Sequence, residues 1–382
     1  MRLVFNTILI LIIVMFTTNC TGDNEVKISK KIINDVEYVR STNPKGIKEL
    51  QLKLDEVFVL KDITINPSYD NDKYRNILKM DSENNLFILD TKNCLIKKYD
   101  STGRFLKEAG GKGQGPGEFD WPSKIFFIND TLNLIANSKK SHLTFDNDLN
   151  FISSTPYQNT DMILNAIGSD KIQSVFQFDF YESENYLISQ LSWFQNQNTF
   201  LKSIVFKNKT DSNIIEIYKK ELTNFKQLDI GFVALNNYCN DNSNDNLFFV
   251  DNSTDDFIIN KYNLAKQKLT RVIQKNYIPQ KKPFLLRRQG NNIGDYWGSI
   301  FNLEIDKDDN LWIFSAEDYP TTIDLVLGSE CYFQIFNKLG EYIGKVEVPA
   351  PPKAMSIAFD KDRLFSYDQF ENTLKVFKYN LE

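Results

Sequence analysis

Asp81-Ser-Glu-Asn-Asn-Leu-Phe-Ile-Leu-Asp90 and Asp306-Lys-Asp-Asp-Asn-Leu-Trp-Ile-Phe-Ser315 are two copies of one pattern: a polar Asp/Asn turn that runs into a short strand of aromatic and aliphatic side chains. The pattern returns at Asn242–Asp251 and at Asp360–Asp368, with weaker copies at Asn129–Ala136 and Asn185–Gln190. A second strand-like run follows each copy, from Leu95, His142, Leu201, Phe257, Tyr332 and Thr373. The marker leucines Leu86, Leu132, Leu187, Leu247, Leu311 and Leu364 are spaced by 46, 55, 60, 64 and 53 residues. A four-stranded antiparallel sheet with its turns takes about 40 to 50 residues, so each copy is one propeller blade with some loop extension. The expected fold is all-β, a six-bladed β-propeller.

Working outward, the last copy has strands at 357–360, 364–367 and 374–379, after which the chain stops at Glu382, leaving that blade one strand short. Gln51–Leu60 precedes the first copy and partly alternates in polarity. It is the expected closing strand, joining first blade to last and removing an exposed edge. Composition agrees. Of 382 residues, 51 are aromatic and nine are alanine, a balance that suits pleated sheets and disfavours helices.

The formal charge of −5 comes without a basic block, which excludes nucleic acid as the main partner. His142 is the single histidine, so a zinc site with two or three imidazoles is impossible, and a hydrolytic triad would need His142 as its base. His142 reads as an ordinary strand-edge residue. The Asp/Asn turns lack the spacing of an EF-hand, and turn chemistry explains their oxygens; no metal and no cofactor are expected. Cys94, Cys239 and Cys331 lie in or beside strand-like runs without C-x-x-C spacing and read as buried thiols.

At the N-terminus, Arg2 precedes the apolar run Ile8–Phe16, which at nine residues is far short of the ~20 needed for a spanning helix. The run ends at Thr17-Thr18-Asn19-Cys20, and a cysteine there resembles the lipid acceptor of a bacterial lipoprotein signal. Residues 1–19 are read as the signal peptide, 20–48 as a polar tether and 49–382 as the propeller. The acidic Thr21–Glu25 stretch resembles the surface-export signal of Bacteroidetes lipoproteins. The expected address is the bacterial cell envelope, with the protein held by its lipid at the outer membrane.

Between the first two blades stands Gly110-Gly-Lys-Gly-Gln-Gly-Pro-Gly-Glu-Phe119. With the preceding Tyr99–Leu106 it resembles the six-bladed β-propeller lipoproteins of Bacteroidetes, relatives of the NHL-repeat propellers, a likeness extending over roughly residues 50–382. That resemblance implies a fold and an envelope location and carries over no general activity. In physical terms the run is a tight blade-to-blade crossing packed by Phe119 and Trp121, since Lys112 is followed by Gly113 rather than by Ser or Thr opening a helix. If it touches a ligand, Lys112, Gln114 and Glu118 are the side chains it presents. A second candidate is the repeat-poor stretch 277–298, where Arg287, Arg288 and Trp297 suit stacking on a sugar or holding an acidic group.

The expected function is therefore a lipid-anchored, non-enzymatic binding module whose partner is a protein, peptide or glycan held by inter-blade loops. The alternative is a carbohydrate-active lyase or hydrolase with paired carboxylates on the same scaffold. The address is tested by Cys20→Ala, which should move the protein from the membrane to the soluble fraction and abolish acyl-lipid labelling of the parent.

Overall fold

The Asp/Asn turns lock themselves before they hand the chain to a strand. Asp81 Oδ1 accepts the N–H groups of Glu83 and Asn85 at 2.9 and 2.8 Å, while Asn85 Nδ2 donates back to Oδ2 at 2.8 Å. Asp306 does the same for Asp308 and Asn310. Variants of this lock recur at Asp100–Arg104, Asp146–Asn150 and Asn337–Glu341. In all five turns the fourth residue is left-handed: Asn84, Gly103, Leu149, Asp309 and Gly340 have φ between 59° and 85°. This is the geometry in which a tight turn feeds a twisted hairpin. The hydroxyl of Thr102 and the N–H groups of its turn hold the Asp100 carboxyl at about 2.

The computed structural model describes residues 26–42, 49–63, 65, 76–136, 141–156, 175–182, 185–196, 199–210, 214–223, 238–240, 243, 245–250, 257–275, 284–288, 291–296, 300–315, 322–324, 331–348, 357–368 and 371–382. Three strands come before the first blade: β1 (Lys27–Ile33), β2 (Val36–Thr42) and β3 (Leu52–Leu60). Blade one is β4 (Leu78–Met80), β5 (Leu86–Asp90), β6 (Leu95–Tyr99) and β7 (Phe105–Gly110). Blade two is β8 (Pro122–Ile128), β9 (Thr131–Ala136), β10 (Ser141–Phe145) and β11 (Phe151–Pro156). Blade three is β12 (Val175–Glu182), β13 (Tyr186–Asn196), β14 (Thr199–Asn208) and β15 (Ile214–Thr223). Blade four is β16 (Tyr238–Asn240), β17 (Asn246–Val250), β18 (Ile258–Asn263) and β19 (Lys268–Lys275). A hairpin, β20 (Phe284–Arg288) and β21 (Asn291–Tyr296), then precedes blade five. That blade is β22 (Ile300–Ile305), β23 (Leu311–Ser315), β25 (Cys331–Phe336) and β26 (Tyr342–Val348), with β24 (Thr322–Asp324) reaching out to pair with β20. Blade six is β27 (Ile357–Asp360), β28 (Arg363–Asp368) and β29 (Thr373–Leu381), completed by β3. The fold is the expected all-β, six-bladed propeller, and the six marker leucines are each at most 3% exposed on the second strand of their blade.

The core lies between blades rather than inside any one of them. Five apolar clusters join blades six, one and two; two and three; three and four; four and five; and five and six. This arrangement explains the aromatic richness: two sheet faces can be filled by flat rings. Trp312 is fully buried between blades five and six, 4.8 Å from the Phe359 ring, and its Nε1 donates to Asp306 at 2.9 Å. Burial in the same seam pushes the Tyr379 phenol far up.

Closure follows the expected route. β3 runs antiparallel to β29 from Leu52 opposite Leu381 to Leu60 opposite Leu374. Gln51 and Glu382 exchange backbone hydrogen bonds at 3.1 and 2.9 Å, and the Phe58 ring lies flat against Gly103 of blade one, where an added Cβ would come within 2.7 Å of it.

The tether expected over 20–48 is corrected in its central part. Residues 27–42 fold as the β1–β2 hairpin, and β2 runs parallel to β19 as an extension of blade four. The reason is in the side chains. Val39 is fully buried, Glu37 takes a two-pronged contact from Arg271 at 2.6 Å, and the buried Ser41 hydroxyl accepts the Tyr342 N–H of blade five. Glu49 then bridges to Lys345 on β26 before β3 begins. The N-terminal segment thus touches the outer strands of blades four and five in turn and then supplies that of blade six. Residues 1–25, with the signal and Cys20, lie outside the described residues.

Phe58→Ala should cost about 3 kcal/mol in urea unfolding, because it empties the seam between blades six and one. Lys53→Ala, which removes an exposed ion pair with Glu382 in the same strand pair, should cost about 0.5 kcal/mol or less.

Candidate functional site

An antiparallel meander sends its first-to-second and third-to-fourth strand turns to one face of the ring. Its second-to-third turns and its blade crossings go to the other. All five self-locked turns lie on the first face. The glycine run after β7 crosses from blade one to blade two on the second, the crossover face; β20 and β21 belong to the connection between blades four and five.

The glycine run folds back on itself. Gly111 N–H donates to Cys94 O at 2.7 Å and Phe119 N–H to Gly111 O at 2.9 Å, while Phe119 is buried beneath. Gly110 has φ 108°, and a Cβ there would meet Cys94 O at 2.6 Å and the Phe119 ring at 2.7 Å, so glycine is required. Glu118 fastens the top: its Oε2 accepts the N–H groups of Gln114 and Gly115 at 2.9 and 2.8 Å, and fills the space where a Cβ on Gly113 would sit.

Under this loop, against the crossover end of blade two, is a cavity of about 340 Å³. Gln114, Glu118 and Asp120 line it from the loop, Ser141 and Ser154 from β10 and β11, and Pro116, Phe119, Leu143 and Phe151 supply apolar wall. The expected residues Gln114 and Glu118 are therefore brought together. Lys112 is exposed on the same loop but does not line the cavity. Arg287 and Arg288 lie on β20, opposite Asn292 and Asn291, across the ring from the cavity. The stretch expected as loop there is a strand pair, and Trp297 lies outside the described residues. Asp120, Ser141 and Ser154 went unnoticed in the sequence because no spacing marks them: they meet only where strand ends from one blade converge under a loop from another.

Trp121 corrects a second expectation. Phe119 packs the crossing, but Trp121 is 59% exposed and left-handed at φ 52°. Burial pushes the Cys94 thiol up, against a bond from the Trp121 backbone that pulls it down. Cys94 and Cys239 are buried and form no disulfide among the described residues. His142 is a strand residue: Asn133 turns its amide nitrogen to Thr131 O, so its Oδ1 accepts from His142 Nε2 at 2.8 Å while the imidazole stacks on Phe126. Among the described residues no three His, Cys, Asp or Glu side chains group to hold a metal ion.

No family model matches the chain, and no curated protein matches it. Among solved structures it is similar to a Bacteroides fragilis protein named as exported, at 15% identity and a TM-score of 0.47, covering 87% of this chain and 95% of that one. It is similar to a DUF4221 family member from Bacteroides vulgatus at 12% identity and a TM-score of 0.47, covering 88% and 99%. A third is virginiamycin B lyase from Staphylococcus aureus, at 10% identity and a TM-score of 0.44, covering 86% and 99%. The assignment of the fold rests on the blades themselves.

Glu118→Ala should free the Gln114 and Gly115 amides. Their hydrogen exchange should speed up by about fivefold, equivalent to roughly 1 kcal/mol for the lost bonds, with little change in global unfolding. Unchanged exchange at both amides would mean that Glu118 does not hold the loop.

Proposed function

We propose that this chain is a lipid-anchored β-propeller of the bacterial cell envelope that binds a ligand, without transforming it, in the cavity under the glycine loop. One observation carries the reading. The side chains of Gln114, Ser141 and Ser154 line this cavity and make no side-chain hydrogen bond to other described residues, whereas the polar turn residues of the opposite face are used up in holding their turns. A preformed concave site with a few convergent polar groups on a rigid scaffold is the usual form of a small-ligand site.

Three features favour binding over catalysis. The single imidazole is engaged with Asn133 inside blade two, and burial raises the Cys94 thiol above its ordinary range. Glu118 spends one carboxylate oxygen on two backbone donors, which suits a fastener better than a general acid.

The likeness of Thr17–Cys20 to a lipoprotein signal and of the propeller to Bacteroidetes envelope lipoproteins supports the address. With β1 folded from Lys27, six residues lie between it and Cys20, a reach of at most about 25 Å. The lipid would therefore hold the ring close to the bilayer.

Thermal-shift measurements on the full protein in detergent, with a mixed panel of sugars, amines, acids and peptides, test the reading. A ligand that stabilises the parent but not Ser154→Trp, which blocks the cavity, and that is recovered unchanged is the expected result. Recovery of a cleaved product would make the propeller an enzyme.

A further inference from the structure

The cavity's lining also indicates what it takes. Resting on the reading that this cavity is the binding site, we infer that its ligand is the neutral end of a saccharide, with the exposed indole of Trp121, the residue after the lining Asp120, as the stacking face.

Charge decides the first step. Among the described residues the lining carries the carboxylates of Glu118 and Asp120 and no lysine, arginine or histidine, and Lys112 stands outside it. An acidic ligand, whether a uronic acid, a phosphate or a nucleotide, would enter against these two like charges with no cation among the described lining residues to meet it.

Hydrogen-bond chemistry decides the second. Gln114, Ser141 and Ser154 each donate as well as accept. A cationic amine brings donors alone. It would answer the carboxylates and offer no acceptor to the amide and hydroxyl protons of those three side chains. Sugar hydroxyls donate and accept in the same small volume, so they can answer carboxylate, amide and hydroxyl groups at once.

The third step is shape. The apolar wall of Pro116, Leu143 and Phe151 gives the C–H face of a pyranose something to rest on. Trp121, next in the chain after Asp120, is 59% exposed in a left-handed conformation that a bulky side chain rarely adopts. Strain held at an exposed aromatic residue beside a cavity is a mark of recognition rather than of packing. At about 340 Å³ the space is near the low end of small-molecule sites, which fits a short saccharide end better than a long chain lying in a groove.

The experiment uses the full protein in detergent. Binding is read by calorimetry and saturation-transfer NMR for glucose, galactose, mannose, N-acetylglucosamine and their disaccharides, alongside glucuronic acid, cadaverine and a lysine-rich tripeptide. Each variant is first shown to unfold at the parent's temperature. The expected result is that at least one neutral sugar binds the parent, that Ser154→Trp abolishes this, and that Trp121→Ala and Ser141→Ala each weaken it about five- to twentyfold. Binding of only the acid, the amine or the tripeptide, blocked by Ser154→Trp, overturns the saccharide assignment and leaves the cavity as the site. Neutral-sugar binding that survives Trp121→Ala unchanged overturns the stacking face. If no probe binds in a way that Ser154→Trp blocks, the cavity reading falls with the saccharide.

Discussion

Everything in this molecule depends on the pairing of β3 with β29. A blade has no core of its own; its apolar faces are covered only by its two neighbours, so an open arc of blades would expose one face at each end. Joining the segment from Leu52 to Leu60 to the C-terminal strand converts the arc into a ring and gives every sheet two partners. The cost of closing so long a loop rises only slowly with its length, whereas the area covered in the seam between blades six and one is large. Phe58 against Gly103, Tyr367 reaching the backbone of Ile63 and Ile65, and Asp360 accepting the Met80 N–H all stitch this one seam.

The N-terminal segment does more than close the ring. Before it reaches β29 it lies along the outer edge of blade four and bridges to that of blade five, through Glu37 with Arg271, Ser41 with Tyr342 and Glu49 with Lys345. An outer strand with unpaired backbone groups is a hazard for aggregation, and a neighbouring strand is one of the ways to cover it. Lys30, paired with Glu341, adds a charge to the new edge that β1 creates, and it holds the Glu341 carboxyl below its ordinary range.

Polar side chains hold the turns on both faces of the ring. On the turn face, Asp81, Asp146, Asp306 and Asn337 spend their side chains on the N–H groups of their own turns, so the sequence there is occupied with structure. On the crossover face Asp90 does the same for Asn93 and Asp368 for Glu371, while the loop after β7 is built by glycines and fastened by Glu118.

The strand pairs and their spacing were readable in the sequence because turn chemistry and period-two burial are local. Asp/Asn turns followed by Leu-aromatic strands mark each blade, and the missing strand of the last blade pointed to Gln51–Leu60. The docking of residues 27–42 on blade four was not readable. Lys27, Lys30 and Lys31 look like a solvated tether until Arg271 and Tyr342, more than 200 residues away, supply partners. The cavity is of the same kind: Gln114 and Glu118 stood out in a glycine run, but Asp120, Ser141 and Ser154 acquire a common purpose only when β10 and β11 end beneath that loop. Sequence by itself determined the blade, its repetition and its closure, since these follow from the conformational preferences of neighbouring residues. Which polar groups are brought together under the loop was decided by the tertiary structure, because that depends on distances between residues the chain order keeps far apart.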